Sequence, residues 1–117
     1  MVPQTDMGRR NGNGNDPGRK RRVRDAVERM GLRQLFDESV QWLEQSRQES
    51  GPQAWSSAEL DDQERSLERI RAELDGVESR KLPAFHLDVL ALRGSLVIYC
   101  FIQRVRHGGR PPNHGGR

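Results

Sequence analysis

The sequence predicts a small all-α protein, a bundle of three helices in which a helical hairpin packs on a long central helix, with disordered basic ends. Apolar residues recur at helical spacing in three segments, and a Gly-Pro pair at 51–52 separates the first two. Both chain ends are nearly free of apolar side chains. We also expect a dimer, because about 80 foldable residues form only a marginal core.

Composition divides the chain into three regions. Only 32% of the 117 residues are apolar, and 32% are charged. The ends hold most of the glycine and asparagine, and such segments cannot bury enough surface to offset the entropy of folding. We therefore assign 1–23 to a disordered basic arm, 24–107 to a helical domain and 108–117 to a disordered Gly/Arg tail.

Charge is segregated along the chain. Residues 1–25 and 104–117 each carry a net +4, which leaves −5 on the middle of a chain whose total is +3. Basic ends suit phosphates, acidic membranes or import receptors. Eighteen arginines stand against two lysines. This bias fits either selection for guanidinium chemistry or codon usage in a GC-rich or overprinted gene.

The first predicted helix runs from about residue 25 to 49. Gly31 weakens its first turns, so the helix bends or begins there. Its apolar positions follow 3–4 spacing: Leu32, Leu35, Phe36, Val40 and Leu43.

The second predicted helix begins at Ser56 or Ser57. Ser56 and Glu59 match the S-x-x-E capping box. Trp55, just before this cap, is either a staple onto Leu60 or an exposed anchor for a partner protein. The apolar seam is narrow and the remaining surface charged, which is typical of an outer helix: Leu60, Leu67, Ile70, Leu74 and Val77.

The third predicted helix, from about Leu82 to His107, is apolar on two opposed faces. One stripe consists of Phe85, Val89, Leu92, Leu96 and Cys100. The other consists of Leu87, Leu90, Gly94, Ile98, Phe101 and Val105. A helix that is apolar on two faces is buried on both. We expect the first stripe to contact the rest of the chain and the second to contact another copy, with Gly94 allowing close approach.

Two basic clusters are candidate contacts for a polyanion. The first is also a candidate nuclear-targeting signal, or simply a solubilising arm: Arg19, Lys20, Arg21, Arg22 and Arg24. The second consists of Arg104, Arg106 and Arg110. No aromatic residue interrupts the first cluster, so it lacks a platform for base stacking.

The start of the third helix also resembles a leucine-rich nuclear export signal. Its positions are Leu82, Phe85, Leu87, Leu90 and Leu92. Core packing explains the same pattern and is the preferred interpretation. We do not expect a membrane span, because the apolar run from Leu96 to Ile102 is far shorter than the ~20 residues required. Attachment to a membrane surface through the C-terminal arginines stays open.

Catalytic, metal and cofactor sites are not expected. Cys100 lies among apolar residues, where burial would suppress its reactivity, and no histidine pair has metal-ligand spacing. A single cysteine and an N-terminus without an apolar segment favour an intracellular protein, and the basic cluster favours both nucleus and cytoplasm.

In layout, the chain resembles small accessory proteins of viruses, with a short helical body, arginine-heavy ends, little lysine and one cysteine. This resemblance covers organisation only and assigns no functional residue. The leading hypothesis is a non-enzymatic adaptor or regulator that forms a homodimer and contacts an import receptor or another host protein. The alternatives are a nucleic-acid-binding protein that uses its basic arms, and a membrane-surface or apoptosis-modulating helical protein.

Overall fold

A computed structural model describes residues 17–52 and 54–112, and within them the chain forms four α-helices. These are α1 (Pro17–Glu28), α2 (Leu32–Gln48), α3 (Ser57–Arg80) and α4 (Leu87–Arg106). The all-α prediction is confirmed, whereas the predicted count of three helices is wrong. The extra helix arises because the segment expected to form one first helix is interrupted.

The interruption lies at residues 29–31. Arg29 and Met30 form a turn, and Gly31 adopts an extended backbone as the N-cap of α2, with φ −72° and ψ 166°. The Gly31 amide donates to Gln34 Oε1 at 3.3 Å. These dihedral angles lie in the extended region that any residue adopts, and a Cβ atom built on Gly31 would meet no atom within 4 Å.

Helix α1 corrects the arm predicted for 1–23, since helical structure begins at Pro17. Val23, Val27 and Met30 recur at 3–4 spacing, and all three side chains are buried. This apolar stripe attaches α1 to the rest of the bundle, although the exposed side of the helix is strongly basic. Residues 1–16 of the predicted arm lie outside the described residues.

Helix α3 has the predicted N-terminal cap. Ser56 Oγ accepts a hydrogen bond from the Glu59 amide at 3.1 Å, and Glu59 Oε1 accepts one from the Ser56 amide at 2.8 Å. The helix continues to Arg80, and Lys81 ends it in the left-handed conformation with φ 54°.

Helix α4 starts five residues later than predicted. Leu82 precedes a proline, which disfavours helical backbone at Leu82. Residues 83–86 form a turn in which the His86 amide donates to the Pro83 carbonyl at 2.9 Å. His86 Nδ1 then accepts from the Asp88 amide at 3.2 Å and so caps α4.

All four helices contribute to one apolar core. Its buried side chains are Val23, Val27, Met30, Leu35, Phe36, Leu43, Leu60, Leu67, Leu74, Val77, Val89, Leu92, Leu96 and Cys100. Arg93 of α4 donates to the Met30 carbonyl at 2.6 Å and to the Glu28 carbonyl, which satisfies the C-terminal end of α1.

The C-terminal turn folds back on α1. Gly108 and Gly109 have φ of 78° and 89°, values that favour glycine. Residues 108–112 of the predicted Gly/Arg tail are described, and Pro112 is buried. The rest of that tail lies outside the described residues. In the part of the chain that is described, no helix is both long enough and apolar enough to cross a bilayer.

Candidate functional site

The largest exposed apolar side chains of the described residues all belong to one segment, from Phe85 to Ile102. Leu87 is 79% exposed, Ile98 61%, Ile102 50% and Leu90 47%. Phe85, in the turn before α4, is 78% exposed. Because these side chains are close together rather than scattered, they mark an interaction surface.

At a helical repeat of 100° per residue, the exposed positions of α4 fall on one side of the helix. We call this surface the α4 stripe and define it as Leu87, Leu90, Ala91, Gly94, Ile98 and Ile102. All six residues are exposed. The opposite side of α4 is buried in the core through Leu92, Leu96 and Cys100.

The C-terminal part of the predicted second stripe is partly covered. Phe101 and Val105 are partly buried and pack against the core. The Arg24 guanidinium of α1 lies 5.4 Å from the centre of the Phe101 ring. The prediction missed this because the part of α1 that carries Arg24 was not expected to be helical, and it also omitted Ile102, which is exposed.

The α4 stripe carries large apolar side chains at its two ends and small residues in the middle. Leu87 and Leu90 lie at one end, and Ile98 and Ile102 at the other. Gly94 separates them, and a Cβ atom built on Gly94 would meet no atom within 4 Å. The bundle itself therefore gives no steric reason for a glycine, which costs a helix interior about 1 kcal/mol relative to alanine.

The first predicted basic cluster lies on the exposed side of α1. Lys20, Arg21, Arg22 and Arg24 are exposed, and Arg19 is half-buried. Val23, in the middle of the cluster, is only 5% exposed. An import receptor that binds an extended basic peptide would therefore require α1 to unfold.

The predicted C-terminal basic residues are separated by the fold. Arg104 is largely buried, and its Nε and Nη2 donate to the two carboxylate oxygens of Glu38 at 2.7 and 2.6 Å. Arg106 donates to Gln103 and lies 5.3 Å from the Trp55 ring centre. Arg110 is exposed. Of the three, Arg104 cannot contact a polyanion without leaving its buried partner.

The residues of the predicted export motif do not share one helix. Leu82 and Phe85 precede α4, and Leu92 is buried. Trp55, the predicted anchor, is partly buried against the core beneath Arg106. Export-type recognition would therefore need the start of α4 to leave its place in the bundle.

Glu38 has a structural role that the sequence did not indicate. It is 7% exposed, and its Oε2 accepts hydrogen bonds from both Arg104 and the indole nitrogen of Trp42, the latter at 3.0 Å. Trp42 in turn stacks on His107, with ring centres 4.8 Å apart. Trp42 is four positions from Glu38, but Arg104 is 66 positions away, so no local pattern could reveal the whole network.

Cys100 lies deep in the core. Its Sγ is 3.4 Å from Ser39 Oγ, and burial raises the pKa of the thiol to about 12. Nearby, burial also raises the pKa of Tyr99 to about 12, and the Tyr99 hydroxyl donates to Gln63 at 2.7 Å. Over the described ranges, no group of three or more His, Cys, Asp or Glu residues is arranged to hold a metal ion.

We predict that the Cys100 thiol does not react with Ellman's reagent in the native protein at a pH of about 8, because it remains protonated and shielded. In guanidinium chloride, one thiol per chain should react, as the sequence holds one cysteine. Rapid labelling of the native chain would show that the helix carrying Cys100 opens readily.

Two open depressions of about 480 Å³ each lie between α3 and α4, next to the α4 stripe. Their charged side chains are exposed, and Arg80 pairs with Asp88 across the first at 3.5 Å. The first is lined by no buried titratable group, whereas the second includes the half-buried Tyr99. They form a polar border to the stripe.

Comparison with protein-family models, curated proteins and solved structures finds no match to this chain.

Proposed function

We propose that this chain is a non-enzymatic helical protein that self-associates through the α4 stripe. The supporting observation is that the exposed large apolar residues of the described chain are concentrated on this one surface. Burial of apolar area contributes roughly 25 cal/mol per Å² and is the main driving force for association.

The shape of the stripe favours a second copy of the same chain as its occupant. Its large residues lie at similar distances on either side of Gly94, so a copy turned end for end would place Leu87 opposite Ile102. Gly94 would then lie at the point of closest approach. Such a two-fold contact uses the same surface on both partners, as most homodimers do.

The dipole of α4 favours an antiparallel pair. The side-chain charges at the two ends of α4 have partners within the chain, since Asp88 pairs with Arg80 and Arg104 pairs with Glu38. The helix dipole adds positive charge at the first turn and negative charge at the last. An antiparallel partner brings opposite dipole ends together, whereas a parallel partner brings like ends together.

A lipid surface suits the same stripe less well. Amphipathic helices that bind anionic membranes carry Lys and Arg along their polar face. The side of α4 that borders the stripe toward α3 carries Asp88 and Ser95 instead. Arg93, on the other side, is engaged with the end of α1.

Disulfide cross-linking tests the antiparallel pair. Gly94→Cys should form a covalent dimer under mild oxidation, because the two introduced thiols would face each other across the two-fold axis. The double variant Leu87→Cys/Ile102→Cys should also cross-link, whereas Leu87→Cys alone should not. The native Cys100 does not interfere, since it is fully buried.

Ser79→Cys, at an exposed position of α3, is the matched control and should remain monomeric on a non-reducing gel. Cross-linking of Leu87→Cys alone would contradict the antiparallel arrangement and indicate a parallel one. If Gly94→Cys cross-links no faster than Ser79→Cys, the proposal of self-association through the α4 stripe is wrong.

The non-enzymatic part of the proposal is supported by the state of the reactive groups. The single thiol is buried with a raised pKa, and most of the carboxylates of α3 are exposed. An enzyme would be expected to hold titratable groups with altered pKa values in a cleft. Adaptor function requires only an accessible binding surface such as the α4 stripe.

A further inference from the structure

The arginines outside α1 are largely engaged within the chain. Six of them lie within ion-pair distance of carboxylates: Arg33, Arg47, Arg65, Arg80, Arg104 and Arg106. Arg93 caps α1, and Arg71 lies over the Phe36 ring. Most of the positive charge of the bundle is therefore balanced internally.

The first half of α1 differs from this pattern. Among the described residues, no carboxylate lies within ion-pair distance of Arg19, Lys20, Arg21 or Arg22. The two acidic residues of α1, Asp25 and Glu28, lie in its second half. The helix dipole adds further positive potential at the N-terminal half.

The fold brings a further cation, Arg110, to α1 from the C-terminal end of the chain. The C-terminal turn packs directly on α1, because a Cβ atom on Gly109 would lie 3.2 Å from Val23 Cγ2. A depression of about 250 Å³ forms there, lined by Arg19, Arg22, Val23, Ala26, Gly108 and Gly109. Exposed Arg110 follows immediately. We call Arg19, Lys20, Arg21, Arg22 and Arg110 the basic end.

The chemistry of the basic end selects among anionic partners. The valines of α1 face the core, so this end of the bundle offers no large apolar side chain to enter a lipid surface. It also has no exposed aromatic ring on which unpaired bases could stack. Closely spaced cations on a rigid helix suit the regular phosphates of a duplex, which need no stacking.

We propose that the basic end binds the phosphate backbone of duplex nucleic acid without reading its bases. This inference goes beyond self-association, since it concerns a different helix and a different partner. It assigns one site to two basic segments that are far apart in sequence and that the fold brings together.

Fluorescence anisotropy of the full chain with a labelled short duplex RNA tests this site. Binding should weaken steeply with salt between about 50 and 200 mM, with a slope near −0.9 for each neutralised phosphate. The triple variant Lys20→Gln, Arg21→Gln, Arg22→Gln should reduce the slope by about 2.7 and weaken binding roughly 100-fold at about 100 mM salt. Glutamine keeps a helix propensity close to that of the replaced residues.

A control triple on α3, Arg65→Gln, Arg69→Gln, Arg80→Gln, removes the same charge and should change affinity less than about three-fold. If both triple variants lost the same affinity for the duplex, the assignment of the basic end as the binding site would be wrong, because net charge alone would explain the binding. Unchanged binding of the α1 triple would overturn it as well. Competition by poly-glutamate as strong as that by unlabelled duplex would identify an acidic protein partner instead. Circular dichroism verifies that α1 remains folded in each variant.

Discussion

Glu38→Ala is expected to lower the free energy of unfolding by about 3 kcal/mol. The substitution leaves the Arg104 guanidinium largely buried without its carboxylate, and it also removes the acceptor of the Trp42 indole. A buried charge that loses its partner costs several kcal/mol, whereas an exposed one costs little. In a domain of this size, the midpoint of thermal unfolding should fall by roughly 15 °C.

An exposed ion pair of the same chain provides the matched control. Arg33 and Glu78 lie 2.8 Å apart, close to the 2.6 Å of the buried pair, but each side chain is 46% exposed. Glu78→Ala should therefore cost less than about 0.5 kcal/mol. Replacing both buried partners, as in Glu38→Gln with Arg104→Met, should recover most of the loss, since glutamine still accepts from Trp42.

Urea titrations monitored by circular dichroism, at one fixed protein concentration, measure these differences. If Glu38→Ala and Glu78→Ala cost the same, Glu38 and Arg104 are not joined in a buried pair. The arrangement of α2 against α4 would then be wrong.

Ile98→Arg is expected to dissociate the dimer. In the proposed contact, this change buries a charge without a partner at the centre of an apolar interface. The dissociation constant should rise at least about 100-fold, which corresponds to roughly 2.8 kcal/mol. The fold should not change, because Ile98 is 61% exposed in the isolated chain. Size-exclusion chromatography with light scattering measures the shift.

The control is Ser79→Arg, which adds the same charge at an exposed position of α3. This variant should elute with the wild type. If Ile98→Arg instead lost its helical signal at the concentrations used, Ile98 would belong to the core and the α4 stripe would not be a free surface.

Local patterns were sufficient to predict much of the fold. The capping box at Ser56 and the seam beginning at Leu60 located α3, because caps and helical periodicity depend on neighbouring residues only. The two apolar faces of the last helix were visible for the same reason. The break near Gly31 was visible as a weak point, but the sequence did not decide between a bend and an end.

The errors come from effects of tertiary structure. The basic composition of this segment obscured the short stripe of Val23, Val27 and Met30. So short an apolar stripe does not stabilise a helix by itself, and it does so here because α4 buries it. The burial of Arg104 depends on Glu38, 66 positions away. Likewise, Arg110 joins the basic end only because two glycines fold the C-terminal turn onto α1.

The central claim is that the α4 stripe binds a second copy of this chain, and sedimentation equilibrium of the wild type together with Ile98→Arg tests it most directly. We predict that the wild type approaches twice the 13.4 kDa chain mass as concentration rises through the micromolar range, while the variant remains at the chain mass. A folded wild type that stays at the mass of one chain throughout would contradict the account.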